Sequence, residues 1–177
     1  MDTRKMIVLC VAVLALAAFG MGSGGYKDKE PQPASGGETM TMKGMPLPEA
    51  QAFWNYIARE NPYEKWGMFP GYTGMYEGQS PHGAYLKLYA NEKAVMAAEK
   101  GEPMPPGAIL VKENYAKDQK TLMAITPMYK VPGYNPDGGN WFWAKYKPDG
   151  TVDASGKVNS CIQCHTPQKD YIFSKPK

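Results

Sequence analysis

Two thiols three positions apart with an imidazole beside the second, Cys161-Ile162-Gln163-Cys164-His165, constrain this chain more than any other stretch of it. That spacing is the attachment signature of a c-type haem. In this reading Cys161 and Cys164 form thioethers with the two vinyl groups of the porphyrin, and His165, next to the second bond, ligates the iron from one face. The short bridge curls back, so both sulfurs and the ring reach one side of a flat macrocycle.

The same inventory weighs against other uses of the motif. A zinc site usually takes four nitrogen or sulfur ligands, and beyond this pentapeptide the processed chain offers no further cysteine and only His82. A thioredoxin-like dithiol belongs near the start of a helix early in a βαβ unit, whereas this pair closes a chain rich in Gly and Pro. A disulfide at this spacing is sterically awkward and leaves His165 unexplained.

A chain of 177 residues suits one domain, and a domain of about 150 residues buries around two-thirds of its unfolded surface, enough for a core and a prosthetic group. The formal charge of +3 is spread among interspersed acids and bases, which leaves no electrostatic footprint for nucleic acid. Residues 1–23 read as a secretory signal. Arg4 and Lys5 form a basic start, Met6 to Phe19 an apolar core, and small residues follow. The apolar run is shorter than the roughly 20 residues of a membrane span, so an uncleaved anchor is the lesser reading. Cys10 lies inside the apolar core and leaves with it. Removing Asp2, Arg4 and Lys5 takes away a net +1 and leaves +2, with both remaining cysteines in the haem motif. Export to a periplasm, where c-type haem is attached, follows as the expectation. Residues 24–45, rich in Gly, Pro, Ser and Lys without an apolar period, read as a disordered tether. The folded domain is expected over residues 46–177.

Within it, Pro48 suits a first helical turn, and Ala50, Phe53, Trp54 and Ile57 make one apolar stripe that Asn61-Pro62 ends. From Tyr63 to Gly83 the density of rings, among them Trp66, Phe69, Tyr72 and Tyr76, predicts an ordered loop. Strands are predicted over residues 84–90, 108–115, 121–130 and 140–147. Asn91 caps a short helix that ends at Gly101, Asp137-Gly138-Gly139 makes a turn, and Pro148-Asp149-Gly150 closes the last strand. The class is α+β, with an antiparallel sheet at the centre and a few short helices around it. No methionine follows His165, so a distal ligand has to come from upstream, and the strand signals exclude the four-helix cytochromes that carry their motif at the C-terminus.

From Ser80 to Phe173 the chain resembles the cytochrome P-460 family, which includes the β-fold relatives called cytochromes c′-β. The resemblance rests on Ser80-Pro81-His82-Gly83, Tyr89-Ala90-Asn91, the run Pro106 to Glu113, Gly139-Asn140-Trp141, and the haem motif followed by Asp170-Tyr171-Ile172-Phe173. It implies one pentacoordinate haem c with His165 as proximal ligand and an open distal face. It also implies oxidation of hydroxylamine and nitric oxide by the family's enzymes, and nitric oxide binding by relatives that lack the full pocket. In the enzymes a lysine of the strand ending Val-Lys-Glu is bonded to the porphyrin edge, and that lysine falls on Lys112. Relatives often pair through their sheets, which makes a homodimer an expectation of the resemblance alone.

Period two puts Lys112 on one face with Ala108 and Leu110, and Ile109, Val111 and Tyr115 on the other. Lys112 is then either a solvent-facing lysine or one desolvated against haem, where a lowered pKa exposes a nucleophilic amine. Two departures from the family weaken turnover. Residues 121–130 contain no acid where the oxidisers place a carboxylate over the iron, and Arg59 is the only arginine left after processing. N–O oxidation releases protons, so a distal face without a base should be slow. His82 is a second axial ligand or a loop hydrogen-bonder; Met123 and Met128 ligate iron or fill an apolar wall. Of the consecutive Trp141, Phe142 and Trp143, one face packs under the porphyrin and the other elsewhere. Two functions remain. One is a haem protein whose open iron binds or oxidises small nitrogen species and exchanges electrons with a soluble periplasmic partner. The other is a non-enzymatic electron carrier or nitric oxide sensor, six-coordinate if His82 or a methionine reaches the metal.

Overall fold

The structure is a computed structural model, described here over residues 43–173. The expected signal, and the expected tether apart from its last three residues, lie outside that range. The first helix, α1 (Ala50–Asn55), widens into one π turn over Tyr56–Glu60, closed by the Asn61 N–H donating to the Tyr56 carbonyl at 2.8 Å. Phe53 and Ile57 are fully buried, while Ala50 and Trp54 at the edges of the stripe are half-covered. The aromatic loop is ordered, as its rings predict. It contributes two short strands, β1 (Gly67–Met68) and β2 (Tyr76–Glu77), and buries Tyr63, Phe69 and Tyr72.

Strand β3 (Tyr85–Ala90) leads into α2 (Glu92–Lys100). Asn91 does more than cap this helix. Its Oδ1 accepts from the Ala94 and Ile109 N–H groups, both at 3.1 Å, and its Nδ2 donates to the Gly107 carbonyl at 2.8 Å. One buried side chain thereby starts the helix and pins the beginning of β4 (Ile109–Tyr115). Strands β5 (Leu122–Lys130), β6 (Trp141–Tyr146) and β7 (Val152–Gly156) follow, and α3 (Asn159–His165) carries Cys161, Cys164 and His165. The seven strands form one sheet in the order β1-β3-β4-β5-β6-β7, with β2 also on β3, and every neighbouring pair is antiparallel. The α+β expectation and its four strands are therefore observed.

β7 was not among the predicted strands, because Val-Asp-Ala-Ser-Gly, although it alternates, is short and made mostly of residues that do not favour strands. It exists because the Pro148-Asp149-Gly150 turn folds it back on β6, with the Lys147 N–H donating to the Thr151 carbonyl at 2.8 Å and the Thr151 N–H to Asp149 Oδ1 at 2.8 Å. Gly150, at φ +88°, has no room for a side chain: a Cβ there would stand 2.3 Å from the Trp54 indole nitrogen.

Both faces of the sheet are buried, by different things. On one, Phe53 and Ile57 meet Ile109, Val111, Ile125, Tyr129, Phe142 and Tyr146. On the other, Leu88, Leu110, Met128, Trp141 and Trp143 meet Phe69 and Tyr72, the buried face of α2 and Ile172 from the C-terminal segment. Alternation along each strand sorts the residues between these two cores. The pairing register shifts twice, between β6 and β7 where Lys145 pairs with Ala154 and Tyr146 with Val152, and between β4 and β5 where Tyr115 pairs with Leu122 and Asn114 with Ala124. Met123 is the extra residue of this bulge and is left 58% exposed.

Phe53 stacks on Tyr129 with ring centroids 5.3 Å apart and meets Phe142 edge-on at 5.5 Å. Truncation by Phe53→Ala should cost about 3–5 kcal/mol in denaturant unfolding, and a loss under about 1 kcal/mol would mean that α1 does not seal this core. In the β4–β5 turn, Asp118 accepts from the Thr121 hydroxyl and from the N–H groups of Thr121 and Lys120. Those bonds, the Thr121 hydroxyl foremost, hold its carboxyl below the ordinary 3.8. A depressed folded-state pKa stabilises above the unfolded value and is lost as pH falls through the folded one. Asp118→Ala should therefore unfold more readily than the parent at neutral pH, with the gap closing in acid; a gap that persists below the carboxylate range would refute the assignment.

Candidate functional site: a haem-sized cavity

Helix α3 begins where the N–H groups of Cys161 and Ile162 both donate to the Val158 carbonyl at 3.0 Å. Cys161, Cys164 and His165 fall at i, i+3 and i+4, which puts them on one helix face. That face borders a cavity of about 570 Å³ whose walls are mainly apolar: Tyr72, Tyr76, Leu86, Leu88, Leu110, Met128 and Trp143 line it together with the motif. Pockets of several hundred cubic ångströms are the usual size for a cofactor. Both cysteines are free thiols, and burial raises the pKa of Cys161. Among the described residues no group of three or more His, Cys, Asp or Glu side chains is arranged to hold a metal ion.

The orientation of His165 is set by the segment after it. Its Nδ1 lies 2.8 Å from the Tyr171 carbonyl oxygen. A carbonyl only accepts, so Nδ1 carries the proton and Nε2 keeps its lone pair. Trp143 and Phe173 hold the ring edge-to-face at 4.8 and 5.0 Å. Burial lowers the His165 pKa, against the opposing hydrogen bond to Tyr171, which favours the neutral, metal-ligating form. The carbonyl is presented by a turn in which Asp170 (φ 51°) and Tyr171 (φ 62°) are both left-handed, a conformation that persists only where the surroundings over-determine it. Here Asp170 accepts from the Met104 N–H at 2.7 Å and from the Lys130 ammonium, and its carbonyl accepts from Trp141 Nε1 at 3.1 Å.

Across the cavity, β4 projects Leu110, Lys112 and Asn114 into it. Lys112 makes no ion pair or hydrogen bond through its ammonium among the described residues, and burial lowers its pKa to about 8. The reading of Lys112 as a solvent-facing lysine is thereby set aside in favour of one desolvated in the pocket. Asn114 is buried and organises the loop opposite. Its Nδ2 donates to the Lys112 and Ala124 carbonyls, both at 3.1 Å, and to Thr126 Oγ1 at 3.0 Å. Its Oδ1 accepts from the Gly83 N–H at 3.2 Å and from His82 Nδ1 at 2.9 Å. Gly83 passes so close to β4 that a Cβ would lie 2.5 Å from the Tyr115 carbonyl oxygen. His82 is held facing His165, with ring centroids 6.3 Å apart; burial and the Lys112 charge lower its pKa to about 4.

The remaining expectations sort as follows. Trp141 and Trp143 lie on the cavity side and Phe142 on the other. Met128 is buried in the apolar wall, and Met123 stands at the exposed bulge on the cavity margin. β5 presents Ala124, Thr126 and Met128 to the cavity and no acid; the one acid along the lining is Glu77, which is exposed. Arg59 is not among the lining residues. Sequence reading missed Asn114, although it stands two residues past Lys112 on the same strand and period two could have found it. It also missed the Lys130–Asp170 pair, for which a separation of forty positions leaves no local signal.

No curated protein matches the chain. The family model described as Cytochrome P460 matches residues 61–174, from the end of the first helical segment through the left-handed turn that orients His165, and the chain belongs to that family.

Proposed function

We propose that the protein is an exported single-haem cytochrome that holds haem c in this cavity through Cys161 and Cys164, with His165 as axial ligand, and that it binds small nitrogen-containing or gaseous ligands more readily than it oxidises them. Family membership implies a haem cofactor. The residues fit one: the donor set is two thiols and an imidazole whose Nε2 has no hydrogen bond among the described residues, the walls are mainly apolar, and the Lys112 ammonium, without an ion-pair partner among the described residues, faces them and suits an anionic substituent. Bound there, haem would supply a redox-active iron.

The observation that carries the preference for binding is the composition of the lining. Nothing on β5 can take up a proton from a ligand, and the lowered pKa of His82 makes it a poor proton store at neutral pH. Lys112 at about 8 keeps a sizeable neutral fraction, which supports contact with the cofactor edge. The basic, apolar start of the chain supports export to a periplasm, and a soluble redox partner there would complete electron exchange. Electron carriage is a second reading, favoured by one observation: the placement of His82 opposite His165.

The intact mass of purified holoprotein should exceed the polypeptide by one haem, with one thioether lost in Cys161→Ala. Hydroxylamine should be consumed slowly, while ferrous protein takes up nitric oxide; fast hydroxylamine turnover would sink the binding preference. A strongly red-shifted reduced Soret band that reverts in Lys112→Arg would convert Lys112 from a contact into a cross-link. Asp170→Ala removes a partly buried ion pair and a backbone acceptor, so we expect a loss of about 3 kcal/mol. It should also raise the haem reduction potential, because a weaker bond from His165 Nδ1 makes the ligand less basic. Lost stability with an unmoved potential would make the turn merely structural.

A further inference from the structure

The sequence contains two histidines, His82 and His165, and the fold brings both to the cavity with ring centroids 6.3 Å apart and planes at 78°. That separation also suits an edge-to-face aromatic pair, so the distance is not the argument by itself. The hydrogen bonds are. Asn114 Nδ2 donates to two carbonyls, which fixes its other terminal atom as oxygen, and an amide oxygen can only accept. His82 Nδ1 therefore donates to it, as His165 Nδ1 donates to the Tyr171 carbonyl. Each ring is an Nδ1–H tautomer whose Nε2 lone pair has no hydrogen bond among the described residues. This is the arrangement found in metal-ligating histidines, whose second nitrogen donates to a carbonyl or carboxylate.

The loop bearing His82 is built to hold it. The His82 N–H donates to the Gln79 carbonyl at 2.9 Å, the next N–H bonds Asn114, and Gly83 lies against the β4 backbone too closely for any side chain. Metal–imidazole bonds are about 2 Å long, so two imidazoles on opposite sides of one metal keep their ring centroids roughly 6 Å apart.

We propose that His82 is the second axial ligand of the haem iron, opposite His165, and that the resting protein is six-coordinate. The proposal rests on the haem reading above. It replaces the open distal face expected from the resemblance: an external ligand must first displace His82, and Asn114 sets how readily His82 yields.

The test uses holoprotein matured with its haem attached. Ferric wild-type protein should be low-spin, with the large-gmax paramagnetic resonance signal that nearly perpendicular imidazole planes produce, and ferrous protein should bind carbon monoxide in a slow step independent of its concentration. His82→Gly should turn high-spin, bind carbon monoxide at least about tenfold faster, and return to low-spin on addition of imidazole. A high-spin wild-type spectrum overturns the proposal, as does a low-spin spectrum that survives in His82→Gly. The wild-type spectrum decides the matter even if the variant fails to fold. Absence of haem from the intact mass would instead fail the cofactor reading, leaving the two failures distinguishable.

Discussion

Strand β4 has no solvent face, and the molecule is arranged around that constraint. Its odd residues, Ile109 and Val111, enter the aromatic core beneath α1, while Leu110, Lys112 and Asn114 enter the cavity. A slip of one residue would exchange the two sets, placing Lys112 on the face of the rings and Glu113 or Tyr115 where Asn114 now bonds five partners. The register is accordingly pinned at several points. Asn91 ties the first residue, Gly83 packs against the last, and buried Glu113 accepts from the hydroxyls of Tyr63 at 3.0 Å and Tyr115 at 2.7 Å on the face away from the cavity. A buried carboxylate without a cation is tolerable when hydroxyls satisfy it, and here it fixes which way Lys112 must point.

The C-terminal segment applies the same logic to the motif. Six residues after His165 the chain turns back through two left-handed residues, a costly conformation that serves to bring a carbonyl to the imidazole. The ion pair of Asp170 with Lys130, its bond from the Met104 N–H, and the Trp141 indole stabilise that turn. The orientation of His165 thus depends on residues from the α2–β4 connection, β5 and β6. Motif and sheet form a single unit, which is why the family match runs over nearly all of the described chain.

Chemically, this cavity pairs a β5 wall without an acid with an imidazole on the loop opposite. β5 supplies an alanine, a threonine and a methionine, so proton-coupled oxidation finds no carboxylate on that strand. The loop opposite supplies an imidazole whose tautomer and orientation suit a metal instead of a proton.

Local chemistry carried much of this in the sequence. The cysteine spacing, the Asn91 cap, the Pro148-Asp149-Gly150 turn and the alternation in β4, β5 and β6 are interactions between near neighbours, and each has a one-dimensional signature. The apolar stripe of α1 was legible for the same reason, though not its π turn. β7 was illegible because a polar edge strand owes its existence to its partner. The sequence by itself could name Lys112 and His82 and could not orient either, since a lysine on a two-faced strand and a histidine between proline and glycine are each consistent with exposure or burial. Tertiary structure decided both. The second sheet face is covered, which desolvates Lys112, and Asn114, thirty-two residues from His82, accepts from its Nδ1 and fixes the ring beside His165. Contacts that distant in the chain leave no periodic trace, because they are selected by packing and not by local conformation.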